Sequence, residues 1–142
     1  MTGFLIALIS GALMSVQGVF NTAVTKQTSL WVANSWVQFS ALAVCLAAWA
    51  IKERESFAQL LQVDHKYLLL GGVIGAFITL TVIKSMNSLG PAQAVLLIVV
   101  SQIIVAYLIE VFGLFGVEKT GFEWNKAVGA LVAIVGIYIF HR

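Results

Sequence analysis

The sequence predicts an all-α integral membrane protein with five transmembrane helices, and three observations lead there. Five long apolar stretches account for most of the 142 residues, and a helix needs about 20 apolar residues, within a range of roughly 17–25, to cross the hydrocarbon core. The chain is 61% hydrophobic and 10% charged, with a mean hydropathy of +1.00, whereas a soluble domain carries about 25% charged residues. Finally, the stretches are too long and too evenly apolar for the alternating pattern of a barrel strand. In lipid each segment must satisfy its own backbone groups, as a helix does. An odd number of spans puts the two termini on opposite sides of the bilayer.

The first span is expected over residues 3–24, ending at Lys26-Gln27-Thr28-Ser29, and the second over 31–51, ending at the charged run Lys52-Glu53-Arg54-Glu55. The third covers 67–83 and stops near Lys84. Leu89-Gly90-Pro91 restarts the chain, with the proline at a first-turn position where its missing N–H is no loss. The fourth covers 91–115 and the fifth 124–140. Trp31, Trp49, Tyr67, Trp124 and Tyr138 fall near these ends, at headgroup level. The connector from Glu55 to Lys66 carries Phe57, Leu60, Leu61 and Val63 among polar residues, and Ser56 with Gln59 has capping-box spacing. It reads as a short amphipathic helix in the interface or as a simple polar loop. No secretory leader is expected, because Met1-Thr2-Gly3 lacks a positive start.

Orientation is weakly encoded. With the N-terminal side named A, Lys52, Arg54, Lys66, Lys119 and Lys126 fall on side A, and Lys26, Lys84 and Arg142 on side B. The excess favours side A in the cytoplasm, hence N-in and C-out. So small a bias suits either a chain that pairs with an oppositely inserted partner or one that inserts both ways and pairs with itself.

Lipid supplies no hydrophobic drive for helix association, so close backbone approach must. Stripes of small residues mark the faces for it: Gly11, Ser15, Gly18 and Thr22 in span 1, Gly71 and Gly75 in span 3, and Gly129, Ala133 and Gly136 in span 5. The last is expected to serve either as a seam between subunits or as an internal contact.

Polar residues within the spans carry the functional reading. Ser10, Met14, Gln17 and Asn21 share one stripe of span 1, about 80–100° from the small one at 100° per residue. Asn34, Gln38, Ala41 and Cys45 form a stripe in span 2, and Gln102, Ala106 and Glu110 one in span 4. Glu110 is the only acid within a predicted span, and a charge at mid-bilayer costs about 2.5–3.5 kcal/mol on insertion scales. It is expected to face protein or a wet cavity, either exchanging a proton or pairing with a cationic substrate, or as a structural carboxyl near a helix end. Gln17, Asn21, Asn34, Gln38, Gln102 and Glu110 are therefore the candidate translocation residues, with interhelical hydrogen bonding as the competing role for the amides. In an antiparallel pair, Lys84 of the second copy would lie near the level of Glu110.

Other chemistries find no support. The formal charge of +2 is small and its cations are scattered, so nucleic acid is not an expected partner. The single Cys45 cannot form an internal disulfide, and within a span it reads as a small hydrophobe. His65 and His141 have no metal-ligand companions at workable spacing. No nucleophile sits with a base and no phosphate-binding glycine loop is present, so neither catalysis nor a cofactor is expected.

Several of these residues form a familiar pattern: Gly11 through Gln17 to Asn21, Gly71-Gly72 with Gly75, Leu89-Gly90-Pro91-Ala92, and Ser101-Gln102 followed by Glu110-Val111-Phe112-Gly113-Leu114-Phe115-Gly116. Over its whole length the chain resembles the half-size, five-span YdcZ-type inner-membrane exporters of the drug/metabolite transporter superfamily. The family pattern is similar to Gly-Gln, an acid, then Phe-Gly-x-Phe-Gly; Ser101 replaces its glycine and Glu110 its usual Asp. The resemblance implies a secondary transporter of a small solute in the bacterial inner membrane, working as an antiparallel homodimer, or as a heterodimer with a homologous five-span chain, with alternating access. The alternative is a non-transporting membrane subunit that stabilises or regulates a homologous partner. Four-helix relatives carry an essential acid in their first span, where this chain has Gln17.

Overall fold

Apolar segments of this length satisfy their own backbone groups as helices, and the chain does so five times. The computed structural model describes residues 2–140; Met1, His141 and the side B cation Arg142 lie outside the described residues. The helices are α1 (Thr2–Gln27), α2 (Leu30–Lys52), α3 (Gly71–Leu89), α4 (Pro91–Phe112) and α5 (Trp124–Phe140). Four stretches are long and apolar enough to cross a membrane: Thr2–Gln27, Leu30–Lys52, Lys66–Leu89 and Pro91–Phe112. The 17 residues of α5 form a shorter apolar helix, about 25 Å long at 1.5 Å per residue.

The chain divides into two compact units, Met1–Asn87 and Ser88–Arg142. The first is a three-helix unit. Ser29 caps α2, its hydroxyl accepting from the Val32 N–H at 3.3 Å, which turns the chain sharply out of α1. The unit buries Gly18, Asn21 and Thr22 of α1, Ala33 and Asn34 of α2, and Leu80, Ile83 and Met86 of α3. Those α3 residues recur every three positions, one face of a helix. Most of the remaining side chains stay exposed, including Phe4, Trp31, Trp36, Phe39 and Phe77, as suits helices whose solvent is lipid.

Several expected boundaries move. The third helix does not stop near Lys84 but runs on to Leu89. Lysine is a good helix former whose stem can lie along apolar surface. The stop comes from Gly90, at φ 81°, and Pro91. Tyr67 lies in a 3₁₀ turn, Lys66–Leu70, leading into α3. The fourth helix ends at Phe112 rather than 115, because Gly113 adopts the left-handed conformation (φ 65°, ψ 40°) and its N–H bonds back to the Ile109 carbonyl. In the connector, Phe57–Gln62 forms a short helix of 3₁₀ type. Ser56 Oγ accepts from the Ala58 N–H at 3.2 Å, while the Gln59 amide reaches Glu55 Oε2 at 3.0 Å, so the capping box is not closed.

The glycine stripes divide into used and open. A Cβ on Gly18 would lie 2.7 Å from Met86 Sδ and 3.4 Å from Val82 Cγ1, so α1 approaches α3 closely there. A Cβ on Gly11, Gly71, Gly75, Gly129 or Gly136 would meet nothing within 4 Å. Ala133 is half-buried.

In the second unit α4 and α5 form a hairpin. Its connector, residues 113–123, depends on left-handed backbone at Gly113, Phe115 (φ 57°), Gly116 (φ 86°) and Gly121 (φ 73°). The Phe-Gly-Leu-Phe-Gly motif is therefore the turn that ends α4. A side chain in that conformation costs roughly 1–2 kcal/mol, and a Cβ on Gly113 would also press on Lys119 Cβ at 3.1 Å. Gly113→Ala should accordingly destabilise the protein by about that amount, read as a lower unfolding midpoint in detergent.

Candidate functional site

In the first unit the polar stripe of α2 faces α3. Asn34 is 5% exposed, and its amide donates to the Ala76 carbonyl at 3.3 Å. Gln38 Nε2 donates to Thr79 Oγ1 at 3.3 Å and reaches Asn34 Oδ1 at 3.5 Å. The Thr79 hydroxyl in turn donates to the Gly75 carbonyl at 3.1 Å. These bonds tie the two helices to each other. Such interhelical bonds average about 0.6 kcal/mol and reach about 1.7. Asn34→Ala should lower stability by about 1 kcal/mol, measured as the shift in its denaturant unfolding curve in mixed micelles.

The stripes of α1 divide differently. Asn21 and Thr22 are each 8% exposed, and the Asn21 carbonyl accepts from Thr25 Oγ1 at 2.8 Å. Gln17, one turn earlier, is exposed. The amides that sequence groups together thus occupy different environments: Asn21 and Asn34 are interior, Gln38 is half-buried, and Gln17 stands on an otherwise apolar surface. Cys45 is also exposed, on α2.

The second unit gathers its polar groups where α4 meets the connector and α5. Glu110 Oε2 takes the Lys126 ammonium at 2.9 Å, and Glu123 Oε1 lies 3.3 Å from the same nitrogen. The pair is 41% exposed on both sides. Lys126 also stands 6.0 Å above the Tyr107 ring. The Tyr107 hydroxyl donates to the Glu123 carbonyl at 3.0 Å and accepts from the Glu123 N–H at 2.7 Å, while the Thr120 N–H reaches the Glu110 carbonyl at 3.2 Å. Phe122 packs against Tyr107 and edge-on against Trp124, centroids 6.0 and 5.2 Å apart.

Glu110 therefore has its counter-ion within its own unit. Lys84 of a second copy is not required to satisfy it. Sequence reasoning missed Lys126 because the pairing depends on how the glycine turns fold the connector back. The Glu123–Lys126 spacing of three residues was the only local signal. Gln102, at the middle of α4, is exposed. A groove of about 470 Å³ between α4 and α5 is lined almost wholly by apolar groups, among them Leu96, Leu97, Ile134 and Ile137.

No curated protein and no solved structure matches the chain significantly. A family model does, over residues 2–139, and its description reads "Putative inner membrane exporter, YdcZ". It takes in the helices and connectors of both units, so the apolar helices described here are those of a multi-pass inner-membrane protein, and the chain belongs to the YdcZ family.

Proposed function

We propose that this chain is one half of a secondary transporter of the drug/metabolite transporter type, exporting a small solute across the inner membrane. Two copies, or one copy and a homologous five-span chain, pair in opposite orientations and work by alternating access. In this reading α5 is the fifth crossing, and the cation excess on side A places the N-terminus inside.

One observation carries the proposal. Gln17 and Gln102 are exposed on helices whose other exposed side chains are largely apolar. An uncovered amide in hydrocarbon is costly, so protein or water must face both of them. A water-filled solute path in the paired assembly meets that need. Gln17 and Gln102 then contact the solute, with Glu110 near one mouth. Asn21, Asn34 and Gln38 are the scaffold that holds the helices beneath, as the bonds to Ala76 and Thr79 suggest. The open small-residue faces at Gly71 and Gly75 and at Gly129, Ala133 and Gly136 are where a second chain could approach closely.

Flux through liposomes containing only the purified chain tests the reading. Transport that Gln102→Ala abolishes supports it. Flux that starts only when a second five-span protein is added shows an obligate heteromer. No flux in either preparation overturns it in favour of a subunit that stabilises or regulates its partner.

A further inference from the structure

Several hydroxyls within these helices bond back along their own helix: Ser15, Thr25, Thr79, Thr81 and Ser85 each donate to a carbonyl three or four residues earlier, at 2.8–3.1 Å. Thr22 does not. The residue is 8% exposed, and its Oγ1 is buried with no hydrogen-bond partner among the described residues. Leaving a buried hydroxyl unsatisfied is costly. Here the ordinary remedy, the Gly18 carbonyl one turn back, goes unused.

The surroundings of Thr22 suggest why. Gly18 and Thr22 lie four residues apart, so they are neighbours on one face of α1. Over Gly18 sits the tip of Met86, whose Sδ would be 2.7 Å from a Cβ built there. Met86 is 3% exposed, and its thioether is unbranched and flexible, able to leave by rotation about its own bonds. The neighbouring buried polar groups, Asn21 and Asn34, carry no charge.

We infer that the face of α1 formed by Gly18 and Thr22 is a closed polar subsite, a notch that opens only when Met86 swings away from Gly18. Met86 is its movable cover, and the Thr22 hydroxyl is a hydrogen-bonding group held in reserve for an uncharged, hydroxyl- or amide-bearing solute. The inference rests on the transporter reading for its purpose. Its test does not depend on transport.

In a Cys45→Ala background, Thr22→Cys is exposed to three methanethiosulfonates in lipid nanodiscs: neutral hydroxyethyl, cationic trimethylammonium-ethyl and anionic sulfonatoethyl. Minor conformations are typically populated at about 0.1–10%. Removing the cover with Met86→Ala should therefore raise the rate with the neutral reagent at least about tenfold, while both charged reagents lag by a similar factor. Ser15→Cys, outside the notch, should react equally with and without Met86→Ala, which reports an intact fold. A second measurement uses Thr22→Val, which removes only the idle hydroxyl. Its unfolding midpoint should equal or exceed that of the parent.

The proposal is overturned if the cysteine at position 22 stays unmodified in both backgrounds, if Met86→Ala leaves its rate unchanged, if the three reagents react alike, or if Thr22→Val lowers the midpoint. Labelling in the expected pattern by a protein that passes no solute would keep the subsite and remove the transport reading.

Discussion

Gly18→Leu is expected to be the most damaging single substitution in the first unit. The space above Gly18 is already taken by Met86, with Val82 beside it, and the neighbouring Ile83 is fully buried. Overpacking a well-filled contact costs about 1–3 kcal/mol, and four added carbons at the closest approach of α1 to α3 should reach the top of that range. Gly18→Ala should be much milder, because its Cβ meets chiefly the far end of a flexible side chain. Gly18→Leu combined with Met86→Ala exchanges volume across the contact, and such swaps usually cost less than about 1.5 kcal/mol. A double-mutant cycle on unfolding midpoints in micelles measures the coupling. Additive effects of the two substitutions would mean that Gly18 and Met86 do not share a contact.

Glu110→Lys should give the largest change in the second unit. It replaces the carboxylate held 2.9 Å from Lys126 with a second ammonium, so attraction becomes repulsion where α4, the connector and α5 meet. The hairpin should loosen, seen as faster proteolysis of residues 113–123 and a lower unfolding midpoint. Glu110→Gln keeps the shape and a hydrogen bond but loses the charge. Because the pair is 41% exposed, and exposed ion pairs contribute little to stability, this variant should fold nearly as well as the parent. It therefore separates the two roles of Glu110. Lost flux with retained stability identifies an acid needed for transport, whereas unchanged flux and stability would make the residue dispensable. Combining Glu110→Lys with Lys126→Glu should recover only part of the loss, since a carboxylate at position 126 would also face Glu123, now 3.3 Å from the Lys126 nitrogen.

The two substitutions illustrate what local sequence can and cannot reveal. Asn34 and Gln38 are one turn apart on α2, so their shared stripe was legible from spacing alone. That they bond to Ala76 and Thr79, some forty residues away, was not. Lys84 marked a boundary by charge, yet the helix passed over it, because a lysine does not break a helix and Gly90-Pro91 does. The small stripe of span 1 was visible, but not which half of it packs: Gly11 is open and Gly18 is closed. The glycines of the connector stood out as a motif, while their left-handed backbone, and the return of Lys126 to Glu110 that goes with it, emerged only in three dimensions.

Sequence by itself determined the solvent and the element type. Hydropathy and run length select helices suited to lipid, since both depend only on residues adjacent along the chain. It also determined family membership, which rests on the order of residues over positions 2–139. Tertiary structure alone decided the partners. Which amide is interior, which hydroxyl has none to bond, which glycine receives a neighbour and which cation answers Glu110 depend on how helices lie side by side. In an apolar chain those arrangements are set by close packing and by a few polar contacts between distant residues, and periodicity marks a candidate face without naming the residue that meets it.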